Sequence, residues 1–168
     1  MEPQTSPEFV ISEMRVQTMR EITFFYVTNR PTPFSDLDRD FDPMLESLYA
    51  AKAQANLGEA GPDIVRYYNA DDVASAGETD LWLMEVGIPV KAGTRPAGAA
   101  QIKTLPPYHC AGLLLWGSLA QIGPAYEMLN KAIREAGLEQ TGENREWVYY
   151  FESGESPHNL MGLYMGVR

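Results

Sequence analysis

Two stretches decide the fold: DPMLESLYAAKAQANLGEAGPDIVRYY at residues 42–68 and GPAYEMLNKAIREAGLEQTGENREWVYY at residues 123–150. Each opens on a proline. Proline is preformed for the first turn of a helix and needs no hydrogen-bond partner there. Apolar residues at helical spacing come next: Leu45, Leu48 and Tyr49 in the first stretch, Tyr126, Leu129 and Ile133 in the second. Gly58 and Gly137 supply stop signals. Pro43 and Pro124 stand 81 residues apart, and so do Glu46 and Glu127, Leu48 and Leu129, Leu57 and Leu138, and Gly61 and Gly142. Tyr67-Tyr68 precede Tyr149-Tyr150 by 82. Farther on, EVGIPV from Glu85 aligns with GLYMGV from Gly162. Matches in one order at a nearly constant offset are the mark of an internal duplication.

Runs rich in β-branched and aromatic residues predict strands at 9–16, 22–27, 64–68, 81–90, 100–105, 110–116, 146–151 and 160–167. Helices are predicted near 43–57 and 124–137, the first with Asp42 as cap and Pro43 at its start. The polar segments 1–8, 29–43 and 69–80 read as a frayed end and two loops. The fold class is therefore α+β: tandem duplicated β-α-β-β units with antiparallel sheet structure, two main helices and a central cleft. One domain over 1–168 is expected, made of repeats at about 9–90 and 100–168 joined by the linker 91–100. A cleft between duplicated halves is a common place for a ligand.

Composition narrows the function. With a net charge of −10 and no lysine or arginine cluster, the chain is expected not to bind nucleic acid. No apolar run approaches a membrane span, and no basic, then apolar, leader is visible, so a cytoplasmic protein without a membrane partner is expected. The single cysteine, Cys110, allows no intrachain disulfide. No glycine-rich phosphate loop and no metal-ligand spacing occurs, so neither cofactor nor metal is expected. His109 and His158 are weak candidates for haem, and Cys110 is read as a buried structural thiol.

Several motifs in order carry a resemblance. They are Gly87-Ile88-Pro89-Val90, Leu105-Pro106-Pro107-Tyr108, the helix entry from Gly117 through Pro124-Ala125-Tyr126 to Leu129, Arg145-Glu146-Trp147-Val148-Tyr149, and the closing run at 161–167. Together they resemble the GyrI-like family, the effector-binding domain of AraC-type and MerR-type multidrug-responsive regulators, from about Phe9 to the end. More distantly, the architecture resembles the SOUL proteins. The resemblance implies a standalone small-molecule-binding protein for an apolar, cationic or aromatic compound. Two alternatives come with it: a hydrolase using a pocket glutamate to activate water on a strained or electrophilic ligand, and a protein-binding gyrase inhibitor. No DNA-binding domain precedes the core, so a regulator in one chain is not expected. Gly162 stands where relatives often carry an acid, which implies extra room in the pocket.

Two acids anchor the candidate site. The resemblance places Glu146 in the pocket, where a carboxylate among apolar groups selects cations because its burial is costly unless paired. Glu85 interrupts an otherwise apolar strand and is the alternative acid or general base. Tyr164, Trp116, Tyr150, Tyr68, Tyr26 and Trp147 are expected to line the same central cleft, offering flat faces with polar edges. Strand alternation puts Glu146 and Tyr150 on one face and Trp147 on the other.

Overall fold

The computed structural model describes residues 2–6, 8–57, 61–69 and 81–168. The strand-forming runs pair into an antiparallel sheet whose elements are β1 (Gln4–Ser6), β2 (Phe9–Ile11), β3 (Arg15–Met19), β4 (Ile22–Thr28), β5 (Thr32–Pro33), β6 (Asp63–Asn69), β7 (Leu81–Val90), β8 (Gln101–Leu105), β9 (Tyr108–Trp116), β10 (Gln140–Tyr150) and β11 (Leu160–Val167). Helix α1 (Leu37–Gln54) lies between β5 and β6, and α2 (Ile122–Glu135) between β9 and β10. The strand order is β1-β2-β9-β11-β10-β6-β7-β4-β8, with β3 also pairing β9 and β5 also pairing β7.

The duplication is written into that order. One unit is β4-α1-β6-β7 and the other β9-α2-β10-β11. Across the sheet they run first, third, second strand of one unit, then second, third, first of the other. The two middle strands meet at the junction, where β6 pairs β10 and Val65 faces Glu146. Gly61 and Gly142, the matched pair from the sequence, both take positive φ, 153° and 99°. Only glycine adopts such backbone without strain. Gly142 lies where β10 shifts register against β11, a bulge that bends the strand.

Both helices cover one face of the sheet. Leu37, Met44, Leu48 and Ala51 of α1 pack on Phe25, Val27, Val65, Tyr67, Trp82, Met84, Val86 and Ile88. Ala125, Leu129 and Ile133 of α2 pack on Ala111, Leu113, Leu115, Leu163, Met165 and Val167. No helix of the described residues covers the other face, but it is not simply wet. Trp147 packs against a cluster of Phe24, Tyr26, Ile64 and Leu105 and against a second one of Tyr108, Cys110 and Tyr164, linking the two halves.

Three sequence expectations need correction. Helix α1 begins at Leu37, so Pro43 is inside it. The apolar stripe explains why: Leu37, Phe41, Met44, Leu48 and Ala51 recur every three or four residues, and burying the upstream members offsets the hydrogen bond that Pro43 cannot donate. Asp38 and Asp40 in the first turn suit the positive helix end. The strand expected at 9–16 divides into β2 and β3 at Ser12, whose N–H still donates to the Leu114 carbonyl while its hydroxyl accepts the Leu114 amide, each at 2.9 Å. Strand β10 starts six residues early, at Gln140. Gly58 and the loop expected at 69–80, apart from Asn69, lie outside the described residues.

Candidate functional site

Glu146 stands mid-strand on β10, on the helix-bearing face, between Val65 of β6 and Leu163 of β11. Tyr67 projects from β6 on the same face, and Tyr126 comes down from α2. The Tyr126 hydroxyl donates to Glu146 Oε1 at 2.8 Å and the Tyr67 hydroxyl to the same oxygen at 3.1 Å, while the two phenols lie 2.6 Å apart. Glu146 Oε2 takes no hydrogen bond from the described residues, and no described cation pairs with this carboxylate. Beside Tyr67 the rings of Trp82 and Phe34 complete an aromatic wall, with centroids 5.3–6.4 Å apart. Phe34 comes from a short 3-10 turn before α1 and is 51% exposed. The Trp82 indole N–H is buried and meets no acceptor among the described residues.

Burial pushes the Glu146 carboxyl above the usual carboxylate range, against the two phenol bonds, which pull it down; the charge of Asp38 adds to the rise. Burial likewise drives both phenols well above their ordinary value, and the Glu146 charge adds to that. The site is thus a half-buried, acceptor-rich point in an aromatic surround, with no positive charge of its own.

Glu85 is built differently. It lies on the helix-free face at 2% exposure. Arg66 Nη1 donates to it at 2.7 Å and Lys103 Nζ reaches its other oxygen. Arg66 Nε continues to Glu143, which Arg145 also holds through Nε at 2.9 Å and Nη2 at 2.8 Å. Tyr68, Tyr26 and Tyr108 stack under Arg66, Lys103 and Arg145, at 4.2, 4.4 and 3.9 Å. Each oxygen of Glu85 thus meets a cation, and this belt of five charges ties β8, β7, β6 and β10 together.

The single cleft expected around both acids is not what the fold assembles. Tyr26, Tyr68 and Glu85 share the helix-free face of the first unit, and Trp147 and Tyr164 that of the second. Trp116 is at the exposed end of β9. Tyr150 departs from simple alternation: β10 shifts register between Val148 and Tyr150, so Tyr150 pairs Leu160 and joins the face opposite Glu146. Gly162 opens no ligand space beside Glu146. A Cβ there would come within 2.5 Å of the Tyr164 ring, which fills the room itself. Of the expected residues only Glu146 lies in this site. Tyr67, not its neighbour Tyr68, lies on the face of Glu146, a choice set by the pairing of Val65 with Glu146. Tyr126 and Phe34 were missed: Tyr126 reads as one more residue of a helical stripe, and Phe34 lies in a segment that reads as loop.

Cys110 is fully buried and burial pushes its thiol up to about 11, which disfavours the thiolate. His109 is bonded to Thr18 at 2.9 Å on the surface. Among the described residues no group of three His, Cys, Asp or Glu could hold a metal ion, and no helix is long and apolar enough to cross a membrane.

No protein-family model and no curated protein matches the chain. Solved structures do. EcmrR in its DNA complex superposes with a TM-score of 0.67 at 14% identity, over 93% of this chain and 57% of that one. The isolated EcmrR C-terminal domain gives 0.64 at 12% identity, over 93% of this chain and 97% of that one. SAV2435 bound to tetraphenylphosphonium gives 0.64 at 10% identity, over 93% and 94%. This chain thus spans little more than half of the EcmrR chain but nearly all of its C-terminal domain. At such identities the likeness is one of fold: the chain shares the architecture of the EcmrR C-terminal domain and of SAV2435.

Proposed function

We propose that this chain binds small apolar organic molecules at the site around Glu146, and that it prefers aromatic or lipophilic cations. One observation carries the reading. Glu85 and Glu143 are each shared by two cations, whereas Glu146, mid-strand in the sheet, has only phenols; Asp63, at the first position of β6, accepts from the Tyr49 hydroxyl at 3.4 Å. A desolvated carboxylate without a counter-charge is costly to keep, and a ligand that brings the missing charge relieves that cost. A cation with delocalised charge suits it best, because little hydration is lost on entry and the rings of Tyr67, Trp82 and Phe34 offer π faces. The tetraphenylphosphonium in SAV2435, a protein of the same fold, is a ligand of this class.

Calorimetric titration with tetraphenylphosphonium and with its uncharged analogue triphenylphosphine oxide tests the reading. The cation is expected to bind more tightly. Equal affinities, or binding of neither, would remove Glu146 from the role given to it.

A further inference from the structure

The helix-free face of the second unit holds a concavity on the side of the sheet away from Glu146. Strand register defines it. Val10 pairs Trp116, Trp116 pairs Leu160 and Leu160 pairs Tyr150, so one apolar row crosses β2, β9, β11 and β10. The register shift in β10 turns consecutive tyrosines, Tyr149 and Tyr150, toward this end of the face. Farther in, Gly112 and Gly162 lack the side chains that would block it, and the Tyr164 ring lies across both. The result is an open groove of about 830 Å³ with Tyr164 as its floor and Val10, Leu114, Tyr149 and Leu160 along its sides. Val10, Leu114 and Tyr149 are all exposed.

The polar groups say what kind of occupant fits. Tyr149 and Tyr164 hydroxyls lie 3.0 Å apart and satisfy each other. Ser12 is likewise engaged, donating to the Glu13 carbonyl and accepting the Leu114 amide. Glu13 and Arg15 in the lining bring opposite charges, and Gln17 adds a neutral amide. The groove therefore has the Tyr149 ring and aliphatic surface to offer and no net charge to satisfy, the reverse of the Glu146 site. Its volume falls in the range of small-molecule pockets, about 300–1,000 Å³.

We propose that this groove is a second ligand site that takes an uncharged, flat aromatic molecule stacked on the exposed ring of Tyr149 and packed on Leu114 and Val10, over the buried Tyr164, independently of what binds at Glu146. N-phenyl-1-naphthylamine, neutral and fluorescent in apolar surroundings, is the probe. Leu114→Glu is expected to weaken it at least about tenfold, since it sets an unpaired carboxylate against an apolar ligand. Glu146→Gln should change it less than about twofold, and saturating tetraphenylphosphonium should not displace it. Leu114 is exposed, so the variant should fold, which circular dichroism checks; Tyr149→Lys serves if it does not. Three results would overturn the proposal: no probe binding to the parent protein, binding indifferent to Leu114→Glu and Tyr149→Lys, or loss of the probe in Glu146→Gln. A dimer in sedimentation that Leu114→Glu dissolves would also overturn it, by giving the groove to a second copy. Failure of cation binding at Glu146 leaves each of these readings unchanged, so the two sites stand or fall separately.

Discussion

Replacing Glu146 by glutamine removes one charge and almost no volume, and the structure sets the size of the effect. A cation about 4 Å from the carboxylate gains roughly 4 kcal/mol at an effective dielectric of about 20. Part of that is returned, because the cation loses water and the glutamine dipole still offers an oxygen. The scale for an interaction with a charged partner, about 1.5–3 kcal/mol, is the better guide. A loss near 2 kcal/mol, about 30-fold in Kd, is expected for tetraphenylphosphonium. Triphenylphosphine oxide should change by less than about twofold, within the spread for a neutral contact. Acidity adds a second signature. Burial holds the Glu146 carboxyl above its ordinary range, so a proton competes with the cation. Affinity should fall as pH drops through that raised value, and the fall should vanish in Glu146→Gln. Stability runs the other way. A carboxyl raised in the folded state binds its proton more tightly there than in the unfolded chain. Its contribution is therefore full below the ordinary carboxylate value and is lost as pH rises through the raised one. The unliganded glutamine variant should accordingly melt higher than the parent at neutral pH. Calorimetry at several pH values and a thermal melt measure all of this. Equal losses for the cation and the neutral analogue, or a pH profile unchanged by the substitution, would refute the reasoning.

Other consequences are as open to measurement. Tyr126→Phe keeps the ring but removes a donor that lowers the Glu146 pKa, so the pH midpoint of cation binding should move up; an unmoved midpoint would show that the phenol does not hold the carboxylate. Glu143→Gln leaves Arg66 and Arg145 facing each other across β6 and β10 without their shared acid. Urea unfolding should report about 3 kcal/mol lost, the low end for a broken buried pair, because Glu143 keeps 23% of its side chain exposed; a loss under about 1 kcal/mol would mean the belt is dispensable. Gly162→Ala should destabilise by about 1–3 kcal/mol through collision with Tyr164, and Tyr164→Leu in the same chain should recover part of that; additive losses would place the clash elsewhere. With a net charge of −10, no mobility shift of duplex DNA is expected at physiological salt, and a tight salt-sensitive complex would contradict it.

Much of the fold was legible because duplication supplies its own control. The 81-residue offset fixed by helix residues such as Leu48 and Leu129 also relates Gly61 and Gly142, two glycines that both take positive φ. Where one local signal spoke alone, it misled: Asp42-Pro43 looks like a helix start, but burial of Leu37 and Phe41 carries α1 past it. The site was harder. Alternation tells two faces apart but does not say which one the helices cover, so Glu85 stayed an alternative to Glu146. What separates them is the cations on Glu85, brought from β6 and β8 by pairings that no spacing encodes. The shift in β10 after Val148 moved Tyr150 across the sheet in the same silent way.

The position of Glu146 has one more consequence. At the 81-residue offset its counterpart is Val65, and Val65 is also the residue it faces across the β6–β10 junction. The junction of the two units therefore sets one acid beside one aliphatic residue. Two carboxylates at that point would crowd each other, and one would have to stay protonated. With a single acid there, one monovalent cation would be enough to balance the charge.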